Sequence, residues 1–212
     1  MPLRRAVVPI AGLRSTSSSN STPAPKGSPV DPLPAVRRWL EDVVIGLGLC
    51  PFAAYPWQHE TVRLVVSDAE DEGRVLADVQ NELLRLDTAD PGELETTLLV
   101  IPHLFAAFEA FNQFLDPADA LLERCDWLGR FQIASFHPHY RFADTSDDDA
   151  GNLTNRAPYP ILHLIREDSL TRAIANYPDP DGIPERNIAR MQSLTETERM
   201  RMFPYLFAAP GE

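Results

Sequence analysis

One short segment, residues 96–101, constrains the fold of this chain more than any other. It has the sequence TTLLVI, a continuous apolar run of strand length without the alternation of a half-exposed strand. A strand of this kind is covered on both faces, and helices are the usual cover. The segment therefore predicts an α/β protein in which helices pack against a central sheet.

The neighbouring segments predict how this sheet is built. Residues 61–67 are rich in β-branched side chains and predict a strand, and helical spacing of apolar residues predicts a helix from about 69 to 86. Because strand, helix and strand alternate here, we expect the first two strands to be parallel. Residues 131–137 and 161–166 predict two more strands, which can pair antiparallel as a wide hairpin. The fold class is a single-domain α/β sandwich with a mixed, about four-stranded sheet packed by helices.

Helical patterns occupy most of the remaining chain. Asp31 and Pro32 predict the start of a first helix, by N-capping and by a proline in the first turn. Between the second and third strands we expect two helices, with Asp116 and Pro117 starting the second one. After the last strand, Thr195 and Glu198 have the spacing of a capping box.

Composition divides the chain into three parts. Residues 1–30 contain four basic residues, no acidic residue and a Ser/Thr run followed by prolines, which predicts a disordered basic tail. The same composition also resembles an organellar transit peptide, a less favoured alternative. Residues 31–203 are predicted to form the single α/β domain, and 204–212 a C-terminal tail.

Charge and cysteine content exclude several classes of function. The net charge of -12 argues against binding to nucleic acid or to an anionic membrane surface, because both need clustered Lys and Arg. No apolar run approaches the roughly 20 residues of a transmembrane helix. Two cysteines in different local settings, Cys50 and Cys125, favour a reducing compartment, so the predicted location is the cytoplasm.

The long polar connection between the last two strands, residues 138–160, is the predicted location of a functional site. Connections longer than about 12–15 residues without structure of their own are uncommon and usually functional or disordered. Many groups able to hold a ligand lie in it or at its ends. Those assigned to the site are His137, Tyr140, Asn155, Arg156, His163 and Arg166.

Two histidines are candidates for acid–base chemistry. If the two strands pair antiparallel, His137 and His163 both lie near the mouth of the loop, and histidine titrates near neutral pH. The alternative is that each is a core histidine with satisfied hydrogen bonds. Cys50 is a candidate nucleophile if the fold brings a base to it, and otherwise a packed apolar side chain.

The remaining polar groups suggest what the site would bind. Asn155, Arg156 and Arg166 offer planar donors suited to a carboxylate or a phosphate, although Arg166 can equally form a local ion pair. His137, His139 and nearby aspartates could supply metal ligands, but their spacing matches no recognised motif, so no metal is assigned. The chain has neither a GxGxxG motif nor a P-loop, and no cofactor is assigned.

Four segments together resemble a known sequence family. They are residues 46–53 (GLGLCPFA), 135–143 (SFHPHYRFA), 152–167 (NLTNRAPYPILHLIRE) and 177–180 (YPDP). They are similar to an uncharacterised bacterial family, domain of unknown function number 1415, over about residues 33–194. The resemblance implies that the seven candidate site residues belong to the family's pattern, in which position 48 is expected to be Asn rather than Gly. It implies no reaction.

Two functions from different classes follow from these residues. The first is a small soluble enzyme acting on a polar or anionic small molecule at a site under the 138–160 loop. The second is a non-catalytic metabolite-binding or regulatory module, in which the polar loop holds a ligand and Cys50 merely packs.

Overall fold

The computed structural model describes residues 31–207, and the predictions for 1–30 and 208–212 lie outside this range. Four strands form the sheet: β1 (Val62–Val66), β2 (Thr96–Val100), β3 (Phe131–Phe136) and β4 (Ile161–Arg166). The α-helices are α1 (Leu33–Arg38), α2 (Ala54–Gln58), α3 (Glu72–Thr88), α4 (Phe108–Arg124), α5 (Glu167–Ala175), α6 (Ile183–Gln192) and α7 (Glu196–Met202). A π-helical segment, Trp39–Ile45, continues α1, and Ala150–Asn155 and Pro204–Leu206 are 3-10 helices.

The sheet is mixed, with strand order β1-β2-β4-β3. β1 and β2 are parallel, as the strand–helix–strand alternation predicts, and β4 is antiparallel to both of its neighbours. All five residues of β2 are buried, which confirms that this strand is covered on both faces. The predicted α/β fold class is therefore confirmed.

Two separate hydrophobic cores lie on the two faces of the sheet. On one face, α3 and α4 cover side chains such as Leu99 and Leu164. On the other face, α1 with its π-helical continuation, and parts of α6 and α7, cover side chains such as Leu98 and Ile161. Because successive strand residues point to opposite faces, a shift of one position moves a side chain from one core to the other.

The segment between β2 and β3 forms one long helix, so the prediction of two helices is wrong. Pro117 lies inside α4 and interrupts its hydrogen-bond ladder without ending it. The buried residues run through the proline at helical spacing: Phe111, Phe114, Ala118, Leu121 and Leu122. Burying a Phe or Leu side chain stabilises the fold by about 1.5–3 kcal/mol, and four such residues are enough to outweigh the cost of the proline.

The folded part of the chain extends beyond the predicted boundary at residue 203. Phe203 is fully buried, and Tyr205 and Leu206 pack against the core that contains Leu98. The Tyr205 hydroxyl donates to the Arg156 carbonyl oxygen at 3.0 Å. Residues of the predicted C-terminal tail, Tyr205 and Leu206, therefore pack against this core.

Candidate functional site

A buried amide organises the long connection between β3 and β4. The Asn152 side chain is fully buried, and its Oδ1 accepts hydrogen bonds from the Phe142 N–H and the Thr145 hydroxyl, both at 3.0 Å. Its Nδ2 donates to the Ser146 carbonyl at 2.8 Å. Buried polar groups are costly unless they are paired, so these bonds fix the course of the loop around Asn152.

The two candidate ligand-binding residues that follow are also bonded to the backbone. Asn155 Nδ2 donates to the Ser135 carbonyl at 3.2 Å, and this ties the loop to β3. Arg156 donates from Nε to the Tyr140 carbonyl at 3.2 Å and from Nη2 to the Asp147 carbonyl at 2.8 Å. These donors hold the loop in place.

His137 is fully buried, and both of its ring nitrogens are hydrogen-bonded to the backbone. Nδ1 accepts from the His139 N–H at 3.0 Å, so the proton lies on Nε2, which donates to the Phe105 carbonyl at 2.8 Å. Burial lowers the pKa of the ring, because the charged form is disfavoured there. Phe105 has a left-handed backbone (φ 63°), and the bond from His137 helps to hold it in that conformation.

Tyr140 lies beside His137 and completes an aromatic cluster. Its ring centroid is 5.0 Å from that of Phe108 and 5.0 Å from that of Phe142. Its N–H donates to the His137 carbonyl at 3.1 Å. Burial raises the pKa of the Tyr140 hydroxyl. The structure therefore brings His137, Tyr140, Asn155 and Arg156 together, as parts of a packed and internally bonded loop.

His163 lies on the opposite face of the sheet from His137. β3 and β4 pair Ser135 with Leu162 and Ala134 with His163, so His137 shares the face of Leu162. The expectation that the two histidines meet at the mouth of the loop is therefore wrong. The observed pairing of β3 and β4 places them on opposite faces, and a shift of one residue in register would have placed them on the same face. His163 Nε2 instead lies 2.8 Å from Thr96 Oγ1, whose hydroxyl donates to the Leu164 carbonyl. Burial lowers the pKa of His163 to about 4.

Arg166 is at the far end of β4 from the loop. Its guanidinium donates to three backbone carbonyls at and beyond the C-terminus of α3, those of Leu86, Ala89 and Leu94. It also lies over the Phe131 ring, 5.8 Å from the ring centroid. A cation at the C-terminus of a helix is favourable, so this contact stabilises the fold. Arg166 is too far along the strand to share a ligand with the loop.

Cys50 is half-buried and packs against the core that contains Leu98, the layer opposite to the one that holds His137. Burial raises the pKa of its thiol, and the N–H groups of Phe52 and Ala53 offset only part of this effect. A thiol of this kind is mostly protonated near neutral pH. The second cysteine, Cys125, packs against the other core.

Gly48 has a left-handed backbone conformation. Its φ is +71°, and a Cβ built on it would meet no atom within 4 Å. Gly adopts the left-handed conformation most readily, and Asn adopts it more readily than most other residues. The Gly of this chain and the Asn expected from the resemblance therefore suit the same backbone conformation.

A groove between β1 and α3 was not predicted from the sequence. Two concavities lie along it, of about 430 Å³ near the start of β1 and about 560 Å³ near its end. Between them Glu82, only 7% exposed, binds Arg63 through two hydrogen bonds of 2.7 and 3.2 Å. Arg85 lies 3.7 Å from the same carboxylate. The one sequence signal for this groove is Glu82 itself, an acid among the apolar residues on the core face of α3.

The described residues contain neither of two further kinds of site. Within residues 31–207, no three His, Cys, Asp or Glu side chains lie together so that they could hold a metal ion. In the same range, no helix has the length and apolar character needed to cross a membrane.

Comparison with known proteins gives one match. A family model with the description "Protein of unknown function (DUF1415)" matches residues 32–201, slightly more than the range over which the sequence motifs resemble it. Neither a curated protein nor a solved structure matches the chain significantly.

Proposed function

Since the chain belongs to the DUF1415 family, whose description names no reaction, we propose from its geometry that it is a non-catalytic ligand-binding module. Its ligand lies in the groove between β1 and α3. The observation that carries the proposal is the contrast between two regions. Asn155 and Arg156 of the 138–160 loop donate to the protein's own backbone, whereas three acids of the groove, Glu60, Asp68 and Glu93, are exposed to solvent.

The alternative, an enzyme with its site under the loop, has weaker support. A general base needs a ring nitrogen within reach of the substrate's proton. Both nitrogens of His137 are bonded to backbone groups, and proton uptake at Nδ1 would set a new N–H against that of His139. His163 is in the other layer, and burial keeps the Cys50 thiol protonated. No pair of these residues forms an acid–base or nucleophile–base couple.

The position of the groove supports ligand binding. Both concavities are open to solvent, which suits a ligand that lies along the protein surface. The larger one lies at the carboxyl end of β1, the end of a parallel strand at which α/β proteins commonly bind ligands.

The charge of the groove indicates the kind of ligand. Three arginines line it, Arg63, Arg74 and Arg85. They face five acids: Glu60, Asp68, Asp78, Glu82 and Glu93. The excess of acids favours a ligand that carries positive charge, alone or together with an anionic group that the arginines can bind.

The same proposal includes a cytoplasmic location. It is supported by the two free cysteines, Cys50 and Cys125, which a reducing compartment keeps unpaired.

A thermal-shift experiment tests the proposal. Amino acids, polyamines, dicarboxylates and nucleotides are screened for compounds that raise the Tm of the protein. Asn81→Trp, on the exposed face of α3, fills the groove and abolishes the shift. Asn112→Trp is the matched control, an exposed Asn of α4 outside the groove, and it leaves the shift unchanged. The proposal fails if no compound shifts the wild-type Tm, or if a shift survives Asn81→Trp.

A further inference from the structure

β1 is an edge strand, with one side free. Toward β2, the Thr61 carbonyl accepts from the Glu95 N–H at 2.9 Å and the Ser67 N–H donates to the Val100 carbonyl at 2.8 Å. Because this alternation continues along the strand, the backbone groups of Val62, Leu64 and Val66 point away from β2. Within residues 31–207 none of these groups is hydrogen-bonded.

This edge has neither a proline nor a free outward charge that would block pairing with another chain. Natural edge strands are blocked by prolines, bulges, outward charges or a covering element. Val62–Val66 has no proline, and its one charge, Arg63, is bound to Glu82 on the α3 side. The groove runs beside this free edge, with α3 as its second wall. An edge strand beside a helix is the arrangement that binds extended peptides by strand addition.

We propose that the ligand of the groove is an extended, basic segment of a partner protein, which adds to the sheet as a strand beside β1 and lies against α3. This inference rests on the proposed function and names the class of ligand. Alternate backbone groups of the segment bond to Val62, Leu64 and Val66, and its inward side chains enter the two concavities.

The charges along the edge favour a basic partner. Glu60 and Glu93 are exposed near the start of β1, and Asp68 is exposed just after its end. Glu60 and Asp68 are eight residues apart, about 26 Å at roughly 3.3 Å per residue. A segment with an apolar, β-branched centre and Lys or Arg near both ends therefore complements the edge.

A second copy of this chain fits the edge less well. Twofold antiparallel pairing centred on Leu64 would set Glu60 of one copy opposite Asp68 of the other, twice. The chain carries -12 overall and residues 1–30 contribute +4, which leaves -16 on residues 31–212. Like charges directly opposite one another are destabilising, and two strongly acidic bodies repel.

The test uses the full-length protein and a synthetic peptide. The peptide is acetylated and amidated, with an alternating valine–threonine centre between lysine–arginine ends. Binding is measured by titration calorimetry, and hydrogen exchange of the backbone amides by NMR. We expect saturable binding and slower exchange at Val62, Leu64 and Val66. A peptide with glutamates at its ends binds more weakly.

Two variants make the test specific. Val66→Pro removes one outward N–H, and proline is tolerated at such edge positions. We expect it to weaken peptide binding about tenfold, because the peptide loses a hydrogen-bond donor. Leu128→Ala, a change at an exposed apolar residue outside the groove, is the control and binds like wild type.

Three results would overturn the inference. The first is no saturable binding of the peptide, and the second is binding without slower exchange at the three β1 amides. The third is a dimer of the free protein in sedimentation that Val66→Pro disrupts, which would assign the edge to a second copy. If the peptide shows no binding while small cationic compounds still raise the Tm of the wild type and not that of Asn81→Trp, the proposed ligand class is wrong. In that case the proposal of a binding module stands.

Discussion

His163 shows how burial sets the charge of one residue. Its pKa of about 4 is below the ordinary histidine value of 6.5, so the unfolded chain takes up the proton first as the pH falls. The contribution of the neutral ring to stability is complete above about pH 6.5 and is lost as the pH falls toward 4. Over this range the free energy of unfolding decreases by at most about 3 kcal/mol from this residue.

The His163→Gln variant tests this dependence. We expect urea denaturation between pH 7 and pH 4 to show a smaller loss of stability for the variant than for the wild type. His103→Gln changes an exposed histidine and serves as the control. Equal pH dependence in wild type and His163→Gln would contradict the assignment.

The backbone conformation of Gly48, rather than any contact it makes, predicts how substitutions at this position change stability. At its φ of +71°, an alanine pays the cost of the left-handed region, about 1–2 kcal/mol, whereas asparagine is better tolerated. Gly48→Ala should therefore lower the free energy of unfolding by about 1 kcal/mol, and Gly48→Asn by less. If both variants lose the same stability, a property other than the backbone conformation decides this position.

At the scale of elements, Arg166 joins the end of β4 to the end of α3. Its guanidinium satisfies the carbonyls of Leu86 and Ala89 at the end of α3 and that of Leu94 in the segment that follows. Arg166→Lys keeps the charge but not the forked geometry. We expect it to cost about 1–3 kcal/mol in chemical denaturation and to speed hydrogen exchange in the last turn of α3. Arg172→Lys, an exposed change on α5, should have no such effect.

The elements were largely predictable from local patterns. The strands at 61–67, 96–101 and 161–166 each differ from the observed bounds by at most one residue at either end, because their runs of apolar and β-branched residues are unambiguous. The capping box of Thr195 and Glu198 is also present. α4 was divided wrongly because Pro117 is a strong local signal, whereas the packing that overrides it involves residues distant in sequence.

The candidate site was less predictable than the fold. Its residues were chosen for their chemical groups, but the bonds of Asn155, Arg156 and Arg166 to backbone carbonyls depend on the tertiary course of the chain. The placement of His137 and His163 depends on sheet register, which the sequence pattern left open by one position. The groove is formed by residues of β1 and α3 that share no motif.

At the scale of the whole molecule, the C-terminal residues close one of the two cores. Phe203 is fully buried, and the Tyr205 hydroxyl shares the Arg156 carbonyl with Trp39 Nε1. Phe203→Ala should cost about 3–5 kcal/mol through the cavity it leaves, and Tyr205→Phe about 1 kcal/mol, since Trp39 still donates. Denaturation followed by circular dichroism and by tryptophan fluorescence should give coincident transitions for each variant. Separate transitions would mean that the two cores unfold independently.

The sheet separates the two cores, and His137 and His163 lie on opposite sides of it. His137 belongs to the side of α3 and α4, and His163 to the side of the N-terminal helix. The ring protons of the two residues therefore form a pair of internal NMR reporters, one for each compartment. A transient opening of one helical layer would let the ring N–H proton on that side exchange with solvent, while the ring proton on the other side stayed protected. Comparing the exchange rates of the two ring protons therefore shows which helical layer opens first.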